Sequence, residues 1–106
     1  MLGKLGETFA AELLAAQGYR ILEKNFRCGL GEIDLIAEKN DEIVFVEVKT
    51  RRSDRFGCPA ESVTREKQRR MKRTAEYYLI THDGHGRAVQ FQVVEILCNQ
   101  IHHAFT

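Results

Sequence analysis

The sequence predicts an α/β domain with a mixed four-stranded sheet flanked by helices. Three observations point to it. Residues 3–17 and 65–81 carry apolar side chains at a helical period, and four runs rich in β-branched and aromatic residues lie at 19–26, 32–38, 42–49 and 88–97. The element order is therefore α-β-β-β-α-β. The second helix is long enough to act as a crossover, which sets the last strand parallel to the third.

Leu2, Leu5, Phe9, Leu13 and Ala16 recur every three or four places, and Gly18 is a suitable helix stop. "YRILEKNF" at 19–26 reads as a strand, and "RCGLG" at 27–31 as a loop. "EIDLIAE" at 32–38 and "EIVFVEVK" at 42–49 flank the turn-forming "KND", so 32–49 reads as a hairpin. "TRRSDRFGCPA" at 50–60 is polar, holds the only proline, and is expected to be an exposed loop. Thr64 is a candidate N-cap for the helix over 65–81, with Met71, Ala75, Tyr78 and Leu79 facing inward. "AVQFQVVEIL" at 88–97 is the last strand.

The chain of 106 residues suits one domain, with 43% hydrophobic and 29% charged residues. It has no apolar run long enough for a membrane helix, and "MLGKLGETFAAELL" lacks a signal-peptide pattern. Cys28, Cys58 and Cys98 are odd in number and widely spaced, which speaks for a reducing cytoplasm over a disulfide framework. The net charge of +1 conceals segregation. Residues 49–73 hold ten Lys and Arg against three acids, and the remainder holds six against twelve. A polyanion partner would meet the basic segment.

Glu47 is the anomaly in the most buried-looking run. With Asn40-Asp41 as a two-residue turn, Asp34 lies opposite Glu47, and Glu32 opposite Lys49. Directly opposed Cβ atoms stand about 5 Å apart. Two carboxylates at that distance repel by roughly 3 kcal/mol at an effective dielectric near 20. A shared proton, the Lys49 ammonium or a divalent cation would offset that cost. Mg²⁺ accepts such paired hard oxygens, and the Val48 carbonyl is a further candidate ligand. The bland alternative puts the acids of 32–38 on a wet face and Ile33, Leu35 and Ala37 on a dry one. It suits 43–48 poorly, because both faces there are apolar.

"GEIDLIA" and "VFVEVKTR", with "GETFAAELL" before them and "AESVTREKQRRMKRTAEYYL" after, resemble the YraN-like family over roughly residues 3–96. That family is grouped with the restriction-endonuclease-like, or PD-(D/E)-x-K, nucleases and is similar to archaeal Holliday-junction resolvases. The resemblance implies the same α-β-β-β-α-β core and a Mg²⁺- or Mn²⁺-dependent endonuclease acting on DNA, including branched DNA. It implies Asp34 as the metal-binding aspartate, Glu47 and Lys49 as the E-x-K pair, and Glu7 as the first-helix glutamate. Gln68 falls where some members place an auxiliary polar residue. Resolvase-like relatives act as dimers, which implies a homodimer. One departure is "QFQVV", where the family usually reads close to "RFDVV": Gln90 and Gln92 replace a charged pair.

Arg65, Lys67, Arg69, Arg70, Lys72 and Arg73, close in sequence to Arg51, Arg52 and Arg55, form a candidate phosphate-tracking patch. A solvated helix face is the plainer reading of the same charges, and favourable charge near a helix N-terminus is the plainer reading of Glu7. His82, His85, His102 and His103 lack cysteines at zinc spacing. A nucleic-acid-binding module that keeps the nuclease fold without turnover is the alternative to an enzyme.

Overall fold

A computed structural model describes residues 2–52, 64–82, 84 and 86–98, with the side chains of 2, 3, 51, 52 and 98 left aside. Its elements are α1 (Leu2–Ala16), β1 (Arg20–Cys28), β2 (Gly31–Lys39), β3 (Glu42–Arg52), α2 (Arg65–Thr81) and β4 (Ala88–Cys98). They form one sheet in the order β1-β2-β3-β4. The first three strands are antiparallel neighbours, and β4 runs parallel to β3 after the α2 crossover. This is the α-β-β-β-α-β core expected from the sequence.

The local signals act as predicted. After α1, Tyr19 N–H bonds to the Leu14 carbonyl and Gly18 N–H to that of Ala15, with Gly18 at φ 97°. That is a Schellman stop, and it needs a residue tolerant of positive φ. Thr64 caps α2, its side chain accepting from Lys67 N–H at 3.1 Å. Asn40 takes φ 57° in the β2–β3 turn, and Leu35 faces Val46 while Lys39 faces Glu42. This is the register that a two-residue turn dictates.

Three details differ from expectation. First, the α1 stripe that shows the helical period is not the one that packs. Leu5, Phe9 and Leu13 are 65%, 57% and 45% exposed, whereas Ala10, Ala11 and Leu14 are buried. The small side chains let the helix lie close to the sheet. A Cβ on Gly6 would stand 2.1 Å from Thr50 Oγ1 on β3. Second, β3 continues to Arg52 instead of ending near Lys49, because the ladder to β4 runs on from Val48–Val94 to Arg52–Cys98. Residues 53–63, including Arg55, lie outside the described residues, as do His85, His102 and His103. Third, the alternation of β2 breaks at Asp34. Ile33 joins the α2-side core with Ile36, Phe45, Ala75 and Tyr78, while Leu35 joins the α1-side core with Ala37, Val44 and Val46. Both Ile33 and Leu35 are fully buried. The β2 sequence therefore has no single dry face: the sheet is sandwiched, and only Asp34 interrupts it. Each fully buried Ile or Phe of this kind contributes about 2 kcal/mol.

Candidate active site

The sheet forks at Asp34 and Glu47. The described β2–β3 ladder ends at Leu35–Val46, one step short of this pair. Beyond it, β2 stays with β1 through Ile33–Phe26 and Glu32–Arg27, while β3 stays with β4. A fork leaves backbone donors and acceptors of β3 without a strand partner, and something polar must meet them. Asp34 does so: its Oδ2 accepts the Val48 N–H at 2.7 Å. The N–H and C=O of one strand residue project to the same side, so the Val48 carbonyl also faces the fork.

A cleft of about 950 Å³ opens there. Helix α1 contributes Glu7; β3 contributes Glu47, Val48 and Thr50; α2 contributes Lys67, Arg70 and Met71. The β1–β2 half contributes Arg27, Cys28, Gly31, Glu32 and Asp34. Close approaches set its walls. Gly6 seats α1 against Thr50, which brings Glu7 over the fork. A Cβ on Gly31, at φ 156°, would stand 2.9 Å from Thr74 Oγ1, so a glycine lets α2 lie against the start of β2.

The electrostatics are those of crowded acids. The Asp34 carboxyl is pushed up from 3.8 to about 6. Burial is the main cause, and the charges of Glu47, Glu7 and Glu32 add to it, against the opposing Val48 N–H. Glu47, only 8% exposed, meets Lys67 Nζ at 2.8 Å through Oε2. Glu32 pairs with Arg27 Nε at 2.9 Å.

The structure thus brings Glu7, Asp34, Glu47 and Val48 to one cleft. Lys49 is half-buried on β3 beside Glu95 in the ladder, and it is not among the described cleft-lining residues. An ammonium in contact with Glu47 is that of Lys67. Gln68 lies apart, at a smaller hollow of about 220 Å³ with Met71, Phe91 and Val93. The basic patch divides in two. Lys67 and Arg70 turn to the cleft; Arg65, Arg69, Lys72 and Arg73 are exposed elsewhere on α2. Arg51 and Arg52 sit in the last turns of the β3 ladder, opposite Leu97 and Cys98. Gln92 Nε2 donates to Gln90 Oε1 at 3.3 Å, a neutral contact where the resembled family carries charges.

Sequence reasoning missed the Lys67–Glu47 pair and the Thr50 wall. A signal for the former was present: Lys67 precedes Met71, Thr74 and Tyr78 by four, seven and eleven residues, which puts an ammonium on the buried stripe of α2. Glu7 is in the second turn of α1, and no acid occupies the first turn. A helix-dipole role explains it less well than its place over the fork.

Among the described residues, no three His, Cys, Asp or Glu side chains form a ready metal cage. Mg²⁺ does not need one, since it settles for one or two carboxylates with water and substrate phosphate. Asp34 and Glu47 each commit one oxygen to the contacts above, leaving the other for a cation. The donor set fits a hard divalent ion.

Fold and site together define an α/β domain of helix, three strands, helix and strand, with an acidic cleft at the fork of a mixed sheet. The family model described as "Uncharacterised protein family UPF0102" matches residues 6–96, and the chain belongs to this family, the YraN-like proteins. A "UPF0102 protein" of Moorella thermoacetica is 53% identical over 94 residues, covering 89% of this chain and 78% of the relative. One from Caldicellulosiruptor saccharolyticus is 51% identical over 98 residues, covering 92% and 83%. One from Persephonella marina is 48% identical over 101 residues, covering 95% and 87%. No described helix is long and apolar enough to cross a membrane.

Proposed function

We propose that this chain is a Mg²⁺-dependent endonuclease that hydrolyses phosphodiester bonds in DNA, with branched or structured DNA as its resolvase-like substrate. The observation that carries this reading is the state of Asp34. A half-buried carboxyl stands at a strand fork, accepting the Val48 N–H, and burial and three neighbouring acids raise its pKa. Structural ion pairing alone does not explain such a placement, and perturbed acids in clefts mark functional sites.

Asp34, Glu47 and the Val48 carbonyl would hold the ion, and Glu7 would complete the acidic shell. Bound Mg²⁺ supplies charge neutralisation at phosphoryl oxygens and a lowered pKa for water. Lys49 follows Glu47 on the same strand and, by resemblance, orients water or steadies charge on the phosphate. Lys67 and Arg70 offer cationic hydrogen-bond donors to phosphate oxygens. Arg65, Arg69, Lys72 and Arg73 extend this grip along the exposed side of α2, and Arg51 and Arg52 are on the strand that leaves the site. No aromatic residue is among the described cleft-lining residues. The donors the described residues offer suit the phosphate backbone, which positions a nucleic acid without reading its bases.

A panel of duplex, flap and four-way-junction DNAs with Mg²⁺ or Mn²⁺ tests the reading. The wild type should cut at least one of them. Asp34→Asn, Glu47→Gln and Lys49→Ala should each lower the rate by about 10²-fold or more, with DNA affinity changed only a few-fold. Absence of cutting on every substrate, with retained binding, would favour the second reading, a non-catalytic nucleic-acid-binding module. The Lys67 ammonium already seated on Glu47 is the observation that supports that alternative.

A further inference from the structure

We propose that Lys67 is a resident counter-cation of the site, which Glu47 releases when a divalent ion and a phosphodiester arrive, so that ion and DNA load together. The inference rests on the endonuclease reading and adds a coupling device to it.

Three observations support it. Lys67 Nζ stands 2.8 Å from Glu47 Oε2, on a carboxylate that the reading assigns to the ion. The two partners differ in freedom: the Glu47 side chain is 11% exposed and that of Lys67 is 46% exposed. Glu47 is held in the strand core, while the lysine has a solvent path away from it. The backbone of Lys67 is pinned, since its N–H bonds to the Thr64 cap at 3.1 Å. Only the side chain has to move, and its reach remains within the cleft it lines with Arg70.

The consequence follows from competition. While Lys67 sits on Glu47, the cation-competent fraction of molecules is reduced, and apparent affinity falls by that fraction. A phosphate that draws Lys67 away restores Glu47, and a cation that takes Glu47 displaces Lys67 toward phosphate. By linkage each ligand tightens the other by the same factor.

Calorimetric titration of Mn²⁺ tests this, with and without a phosphorothioate duplex that resists cutting. Without DNA, Lys67→Met should bind Mn²⁺ about three- to tenfold tighter than wild type. Its DNA-induced gain in Mn²⁺ affinity should shrink by a similar factor, and Lys67→Arg should restore wild-type behaviour. Arg70→Met removes an equal charge from the same cleft, but its described partner is Glu66, at 3.6 Å. It should shift Mn²⁺ affinity less than about twofold. Thermal melts of Lys67→Met should match those of the wild type, since the position is exposed. Unchanged or weaker Mn²⁺ binding by Lys67→Met overturns the coupling device, as does an equal gain in Arg70→Met. Absence of Mn²⁺ binding by the wild type overturns the endonuclease reading, and the device with it.

Discussion

At Asp34 a single carboxyl accepts the Val48 N–H and stands near enough to Glu47, Glu7 and Glu32 to be disfavoured by all three. Its folded pKa, about 6, lies above the ordinary 3.8. Below both values the group is protonated in folded and unfolded chains, and the fold keeps its full stability. As pH rises from about 4 through 6, the unfolded chain ionises first, and stability is lost across that window. The loss is about 2 kcal/mol, taking roughly 1.4 kcal/mol per unit and discounting for partial exposure. Asp34→Asn keeps an oxygen for the Val48 N–H and removes the charge. Thermal denaturation without divalent ions should therefore show a higher melting temperature for Asp34→Asn at pH 8 and little difference at pH 4. A lower melting temperature at pH 8 would show that the carboxylate stabilises the fold. At this scale the sequence was informative where counting sufficed. The two-residue turn sets Asp34 against Glu47 without reference to any other element. The charge of Lys67 matches that of its basic neighbours, and its place four, seven and eleven residues before Met71, Thr74 and Tyr78 is what brings its ammonium to Glu47.

Among the elements, α2 depends most visibly on a local signal. Thr64 accepts the Lys67 N–H, one of the helix's otherwise unpaired donors, and Glu66 adds acid to the first turn. Thr64→Ala should cost about 1 kcal/mol by urea denaturation, and Thr64→Ser should recover most of it. Equal stability of the Ala variant and the wild type would mean that α2 is held by its core face alone. Such signals are local, so the sequence shows them. Two other features depended on distant neighbours. The "TRR" end of β3 is charged and reads as loop, yet the parallel ladder to β4 keeps it a strand. Helix α1 is apolar on two sides, and its period reports a helix without saying which side is buried. The choice falls to Gly6, Ala10 and Ala11, whose small size matters only once the sheet is in place.

Among the described residues, acids and cations meet at the fork. Acids line the interior of the cleft, Lys67 and Arg70 stand at the same opening, and the remaining basic residues of α2 are exposed outside it. The near-neutral total charge conceals the basic segment, which the segregation of residues 49–73 from the rest makes legible. An acidic interior favours a small cation and a basic exterior favours a polyanion, and a phosphodiester-cleaving site requires both. If Asp34 and Glu47 share a divalent ion, both carboxylates contribute to its affinity. Calorimetric titration of Mn²⁺ into wild type, Asp34→Asn and Glu47→Gln at neutral pH measures it directly. The wild type should bind saturably, with affinity lowered at least about tenfold in each variant. Binding that both variants leave unchanged would contradict a shared ion.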